Sequence, residues 1–128
     1  MYVSVTSFLV RSPWANVLFQ MHAVSSFMQA GKSQGILKKE NFSPFRKVYS
    51  TVTHWESKEA MLAFRNSGAH LKAMKLSAKM GHGIATGWET EQFIDRKEAL
   101  SRLHSEKGSL ISEDEQVDGL VKNTPSSL

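Results

Sequence analysis

The chain has 128 residues, is 41% hydrophobic and lacks cysteine; this is material for one core, and it excludes disulfides, thiolate metal sites and a thiol nucleophile, as suits a reducing, cytoplasmic setting. The formal charge of +4 is uneven, because residues 109–128 carry net −3 and leave +7 on the first 108, a basic body that by charge alone suits nucleic acid, anionic lipid or an acidic substrate. No stacking aromatics interleave with Lys72, Lys75 and Lys79, so nucleic acid is not expected, and no run approaches the roughly 18 apolar residues of a membrane span.

In chain order, Tyr2 to Val10 alternates as a strand, and its Ser and Thr residues interrupt it too often for a signal-peptide core. Ser12-Pro13 then supplies a cap and a helix-starting proline. From Trp14 to Ala30, the residues Trp14, Val17, Leu18, Met21, Val24, Phe27 and Met28 recur at helical intervals and predict an amphipathic helix ended by Gly31. Gly35 to Phe42 reads as a short edge strand that Ser43-Pro44 interrupts, and Arg46 to Trp55 resumes the strand pattern. In that last run Val48, Ser50, Val52 and His54 face one way, and Tyr49, Thr51, Thr53 and Trp55 the other.

Ser57 caps a second helix running to about Met80, with Met61, Phe64, Leu71 and Met74 on one face and His70 at its edge. Gly68 in mid-helix marks either a break between two helical pieces or a place of close packing. Gly81 and Gly83 bracket His82, and Ile84 to Glu91 forms a final strand containing Trp88.

Strand, helix, strand, strand, helix, strand is the α+β, ferredoxin-like βαββαβ order, with a four-stranded antiparallel sheet and two helices on one face. The other face keeps apolar members, which predicts that two copies pair their sheets as a homodimer, a dimeric α+β barrel. The domain then spans 1–92, a charged helical extension 93–108 folds back or reaches across the partner, and 109–128 is a mobile acidic tail.

The strand ending in Trp55-Glu56-Ser57, the following Glu59-Ala60-Met61 and Phe64, and the Ser67-Gly68-Ala69-His70 step with Ala73 beyond it resemble the antibiotic biosynthesis monooxygenase group of the dimeric α+β barrel superfamily. Met61, Phe64 and Gly68-Ala69-His70 look most similar to spheroidene-monooxygenase-like members, which are associated with haem and hydroxylate a carotenoid. This chain is much shorter than those enzymes, so their substrate does not carry over. The haem-degrading branch implies an Asn on the first strand and a Trp and a His on the second helix. Here the first strand offers Ser7 and Phe8, and the helix positions hold Phe64 and Met74.

The resemblance implies a monooxygenase-like protein with an apolar pocket for a hydrophobic or aromatic small molecule, working without a cofactor or with haem. His70 is the candidate base, or the haem ligand, since an imidazole is poised near neutral pH for either role. Trp55, Phe64, Met74, His22 and Trp88 are the candidate pocket residues, and no His pair has zinc-site spacing. The alternative is a non-catalytic ligand-binding or interaction homodimer of the same fold.

Overall fold

A computed structural model describes residues 1–106 and 109–110. Strand β1 (Tyr2–Val10) is followed by helix α1 (Pro13–Lys32), the hairpin β2 (Ile36–Phe45) and β3 (Val48–Trp55), helices α2 (Lys58–Arg65) and α3 (Gly68–Met80), strand β4 (Gly81–Glu89), helix α4 (Arg96–Glu106) and the two-residue strand β5 (Ser109–Leu110). The sheet order is β2-β3-β1-β4-β5, all antiparallel, so the four main strands have the ferredoxin-like arrangement expected.

Local chemistry explains most boundaries. Ser12 caps α1 by accepting the Ala15 amide at 3.1 Å, and Ser57 caps α2 through the Ala60 amide at 3.1 Å. Gly31 does not end α1: it lies in the last turn, where its missing side chain lets Lys39 cross, donate to the Phe27 carbonyl at 2.9 Å and sit over the Phe27 ring. Ser43-Pro44 likewise does not interrupt β2, because β2 is an edge strand and a proline there removes no ladder bond the sheet needs. A register shift between Phe42 and Phe45 absorbs the irregularity.

The sheet separates two faces. Tyr2, Ser4, Thr6 and Phe8 of β1 point towards α1, α2 and α3, whereas Val3, Val5, Val52 and Ile84 point the other way and are buried beneath Ile94, Ala99 and Leu103. The apolar face expected to pair with a second copy is therefore covered within the chain by α4. Asp95 starts this helix by accepting the Glu98 amide. Arg96 pairs with Glu40 and lies over the Phe42 ring, and the Arg102 guanidinium lies 4.3 Å from the Trp88 ring centre. The extension folds back. The acidic tail expected over 109–128 begins with β5, which pairs with Ile84 and Ala85, and residues 111–128 lie outside the described residues.

His54 pins the start of this strap. Its Nε2 accepts the Ile94 amide at 3.1 Å, which places the ring proton on Nδ1, and the Phe93 ring meets it edge-on at 4.9 Å. Burial, helped by the nearby Lys38 charge, holds its pKa below the ordinary 6.5. The folded state thus favours the neutral ring, so this stabilisation is complete above about pH 6.5 and drains away as the pH falls through the lower folded value. Thermal melts are expected to show the melting temperature falling below pH 6.5, with a shallower acid slope in His54→Gln than in the parent.

Candidate functional site

Between the sheet and α1, α2 and α3 lies a cavity of about 710 Å³, a size suited to a drug-sized organic molecule. Its existence follows from β4. The residues of β4 that face the helices are Gly81, Gly83, Ala85 and Gly87, set opposite Val10, Phe8, Thr6 and Ser4 of β1, so this strip of sheet presents nothing larger than a methyl group. The floor beside it is hydroxyl-rich, with Ser4, Thr6, Thr51 and Thr53. At one end Phe8, Phe19 and Tyr49 stack at centroid separations of 4.9 and 5.2 Å.

His70 reaches this cavity from the first turn of α3. The helix break in front of it is real, with Gly68 at φ +58, where a side chain would be strained. Gln29 of α1 spans the break. Its amide nitrogen donates to the carbonyls of Phe64 and Ser67 at 3.2 and 2.9 Å, and its oxygen accepts the His70 amide at 2.9 Å. One side chain thereby ties the end of α2 to the start of α3 and supplies the acceptor that helix geometry denies the first-turn His70 amide. Both readings of the Ser67-Gly68 step therefore hold, as a break and as close packing against Gln29. Gln29→Ala is expected to cost about 1 kcal/mol in a denaturant titration, because the His70 amide loses its acceptor while the Phe64 and Ser67 carbonyls keep the Ser67 and Leu71 amides, and to shift the His70 ring resonances.

The imidazole has a defined tautomer. His70 Nδ1 lies 3.4 Å from the Arg65 carbonyl oxygen, which can only accept, so Nδ1 carries the proton and Nε2 keeps the basic lone pair. Burial lowers its pKa below 6.5; the Arg65 carbonyl opposes this and the Arg65 charge adds to it. The ring is therefore neutral at physiological pH. Phe64 packs against it at 4.6 Å.

Four predicted residues, His22, Phe64, His70 and Met74, line the cavity together. Trp55 does not. It is fully buried behind Phe64, with ring centres 5.1 Å apart, and its indole donates to the Thr53 hydroxyl at 2.8 Å. It thus orients a floor residue, since the occupied lone pair leaves the Thr53 proton to be donated elsewhere. Trp88 is on the wrong face altogether: it pairs with Val3 and packs against the α4 layer. Sequence reasoning missed Gln29, Tyr2 and Ser26. Tyr2 lines the cavity as a phenol, its pKa raised by burial and by Glu89. The buried Ser26 hydroxyl, also at the cavity, has no hydrogen-bond partner among the described residues, the condition of a group that a ligand would satisfy. The Gly81-x-Gly83-x-Ala85-x-Gly87 alternation was the available signal for a hollow above β4.

No family model and no curated protein matches the sequence. Solved structures do. A candidate antibiotic biosynthesis monooxygenase from Nitrosomonas europaea superposes with a TM-score of 0.63 at 10% identity, covering 72% of this chain and 100% of its own. SnoaB, a cofactor-independent oxygenase from Streptomyces nogalater, gives 0.60 at 11% identity, with coverages of 74% and 97%. A further candidate monooxygenase of this kind, from Deinococcus radiodurans, gives 0.63 at 15% identity, with coverages of 74% and 97%. At such identities the shared property is architecture: the chain has the α+β fold of the antibiotic biosynthesis monooxygenases.

Proposed function

We propose that this protein is a cofactor-free monooxygenase acting on an electron-rich aromatic or other hydrophobic small molecule held between the sheet and α1 to α3. The observation that carries the reading is the neutral His70 imidazole at the cavity, with Nδ1 tied to a carbonyl and Nε2 basic. In this reading Nε2 removes a proton from an activated ring CH₂, and the resulting anion gives electrons to dioxygen. One oxygen atom forms the new C=O bond, and the other leaves as water with the two hydrogens, so substrate supplies all the electrons. Tyr2, Ser26 and Thr53 would hydrogen-bond the oxygens of the substrate, and the Phe8, Phe19 and Tyr49 stack would hold its flat body. The likeness to SnoaB, itself cofactor-independent, supports this chemistry. A cytoplasmic setting accords with a chain of 128 residues without cysteine, and no helix among the described residues is long and apolar enough to cross a membrane.

The test is oxygen uptake by the purified protein with a panel of anthrones and hydroquinones, with product mass read under labelled dioxygen. Incorporation of one labelled atom supports the reading; binding of the panel without uptake assigns the fold to ligand binding alone, which is the non-catalytic alternative, with or without a second copy. Haem binding is the second reading, favoured by one feature: an imidazole whose Nδ1 is held by a carbonyl presents Nε2 as metal-binding histidines do. His70 would hold the haem, which would supply the oxygen activation. A haemin titration of parent and His70→Ala decides it, since a saturable Soret shift lost in the variant is required.

A further inference from the structure

Helix α1 is apolar on both sides. Ala15, Phe19, Ala23, Ser26 and Ala30 face the sheet, while Trp14, Val17, Met21, Val24 and Met28 form a second stripe on the opposite side, exposed by 80, 52, 65, 57 and 55%. Their spacing of three and four residues keeps them in one line. Single exposed apolar residues are ordinary, whereas five in line along a helix mark a contact surface.

The neighbouring helix supplies the chemistry of the partner. On α3, His70, Ala73, Met74 and Ser77 face the cavity, and Lys72, Lys75 and Lys79 fall on the opposite side, all exposed. α1 and α3 pack side by side on the same face of the sheet, so the apolar stripe and the lysine row look outward together. Neither helix contains an Asp or Glu, and α1 ends in Lys32.

We propose that this surface docks on an anionic lipid bilayer, with the α1 stripe entering the boundary between headgroups and acyl chains and the α3 lysines lying over the acidic headgroups. Trp14, at the start of the stripe, is the residue type that prefers this boundary. A second copy is the competing occupant by area, since five such side chains on each of two copies bury about 1,200 Å², the lower end of specific interfaces. Charge favours the bilayer. A two-fold axis that sets the α1 stripes antiparallel also lays the lysine row of one copy over that of the other, whereas an anionic surface attracts every lysine on the face.

The experiment uses the full chain with vesicles of phosphatidylcholine alone and of phosphatidylcholine mixed with phosphatidylserine, read by co-sedimentation and by Trp14 fluorescence. Trp55 is inside the fold and Trp88 lies on the other sheet face, so a blue shift lost in Trp14→Phe reports the stripe. Binding is expected only with phosphatidylserine present, falling by about tenfold or more in Met21→Glu and again in Lys75→Glu. Both positions are exposed, and unchanged melting temperatures verify the fold. Failure of the parent to bind acidic vesicles overturns the proposal, as does binding indifferent to Met21→Glu. A dimer that Met21→Glu splits, without vesicle binding, gives the stripe to a second copy and overturns it equally.

Discussion

His70→Ala is expected to lower kcat for oxygen uptake by about 10²- to 10⁴-fold, the range over which a positioned general base acts, while leaving substrate affinity within a few fold. The split between kcat and KM is the informative part. His70 contributes one ring to a cavity whose hydroxyl floor and aromatic end come from other elements, so removing it takes away proton abstraction and little of the binding surface. The pH profile of the parent gives a second reading of the same group. Because burial keeps the folded pKa below 6.5, kcat/KM should rise through an acidic limb centred below that value and be flat at neutral pH. The limb should vanish in His70→Ala, whose residual rate is pH-independent over this range. A limb above 6.5, or one that survives the substitution, would move the base to another residue.

Trp55→Ala is expected to cost about 3–5 kcal/mol in a denaturant titration, the range for deleting a large buried aromatic. Trp55 is wholly inaccessible and sits where β3 runs into α2, between Phe64 and Tyr2 at the start of β1. Removing it opens a void behind Phe64 and leaves the Thr53 hydroxyl without its donor. Trp55→Phe keeps most of the volume and loses the N–H, so it should cost about 1–2 kcal/mol. The comparison separates packing from hydrogen bonding.

These two residues also show how far the sequence could be read. Element order follows from alternation and helical spacing, because period two in β1 and β3 and the Ser57 cap are local properties. His70 and the Ser67-Gly68 break were legible for the same reason. Register was not. Trp55 and Trp88 are both strand tryptophans, yet β1 sets Tyr2 opposite Trp55 and Val3 beside Trp88, and adjacent β1 residues point to opposite faces. One lies behind the cavity wall and the other under α4, and nothing local to either distinguishes them.

Helix α1 misleads in a different way. A stripe of large residues at Trp14, Val17, Met21, Val24 and Met28 reads as a core face, yet the side turned to the sheet is built largely from smaller residues such as Ala15, Ala23, Ser26 and Ala30. Small residues are what the cavity requires, since larger ones there would fill it. Gln29 gave no signal because its partners, the open ends of α2 and α3, arrive some forty residues later in the chain.

The placement of α4 has a consequence for the order in which the protein is made. Val3 and Val5 leave the ribosome well before the residues that cover them, Ile94, Ala99 and Leu103, which come more than eighty positions later. Throughout that interval the sheet can assemble from β1 to β4 with one oily side bare, so a nascent chain paused after Glu89 resembles an adhesive strip. Rare codons or a premature stop between Thr90 and Leu103 should therefore yield inclusion bodies rather than a smaller working domain, and trigger-factor-like holdases should find this nascent chain a frequent client.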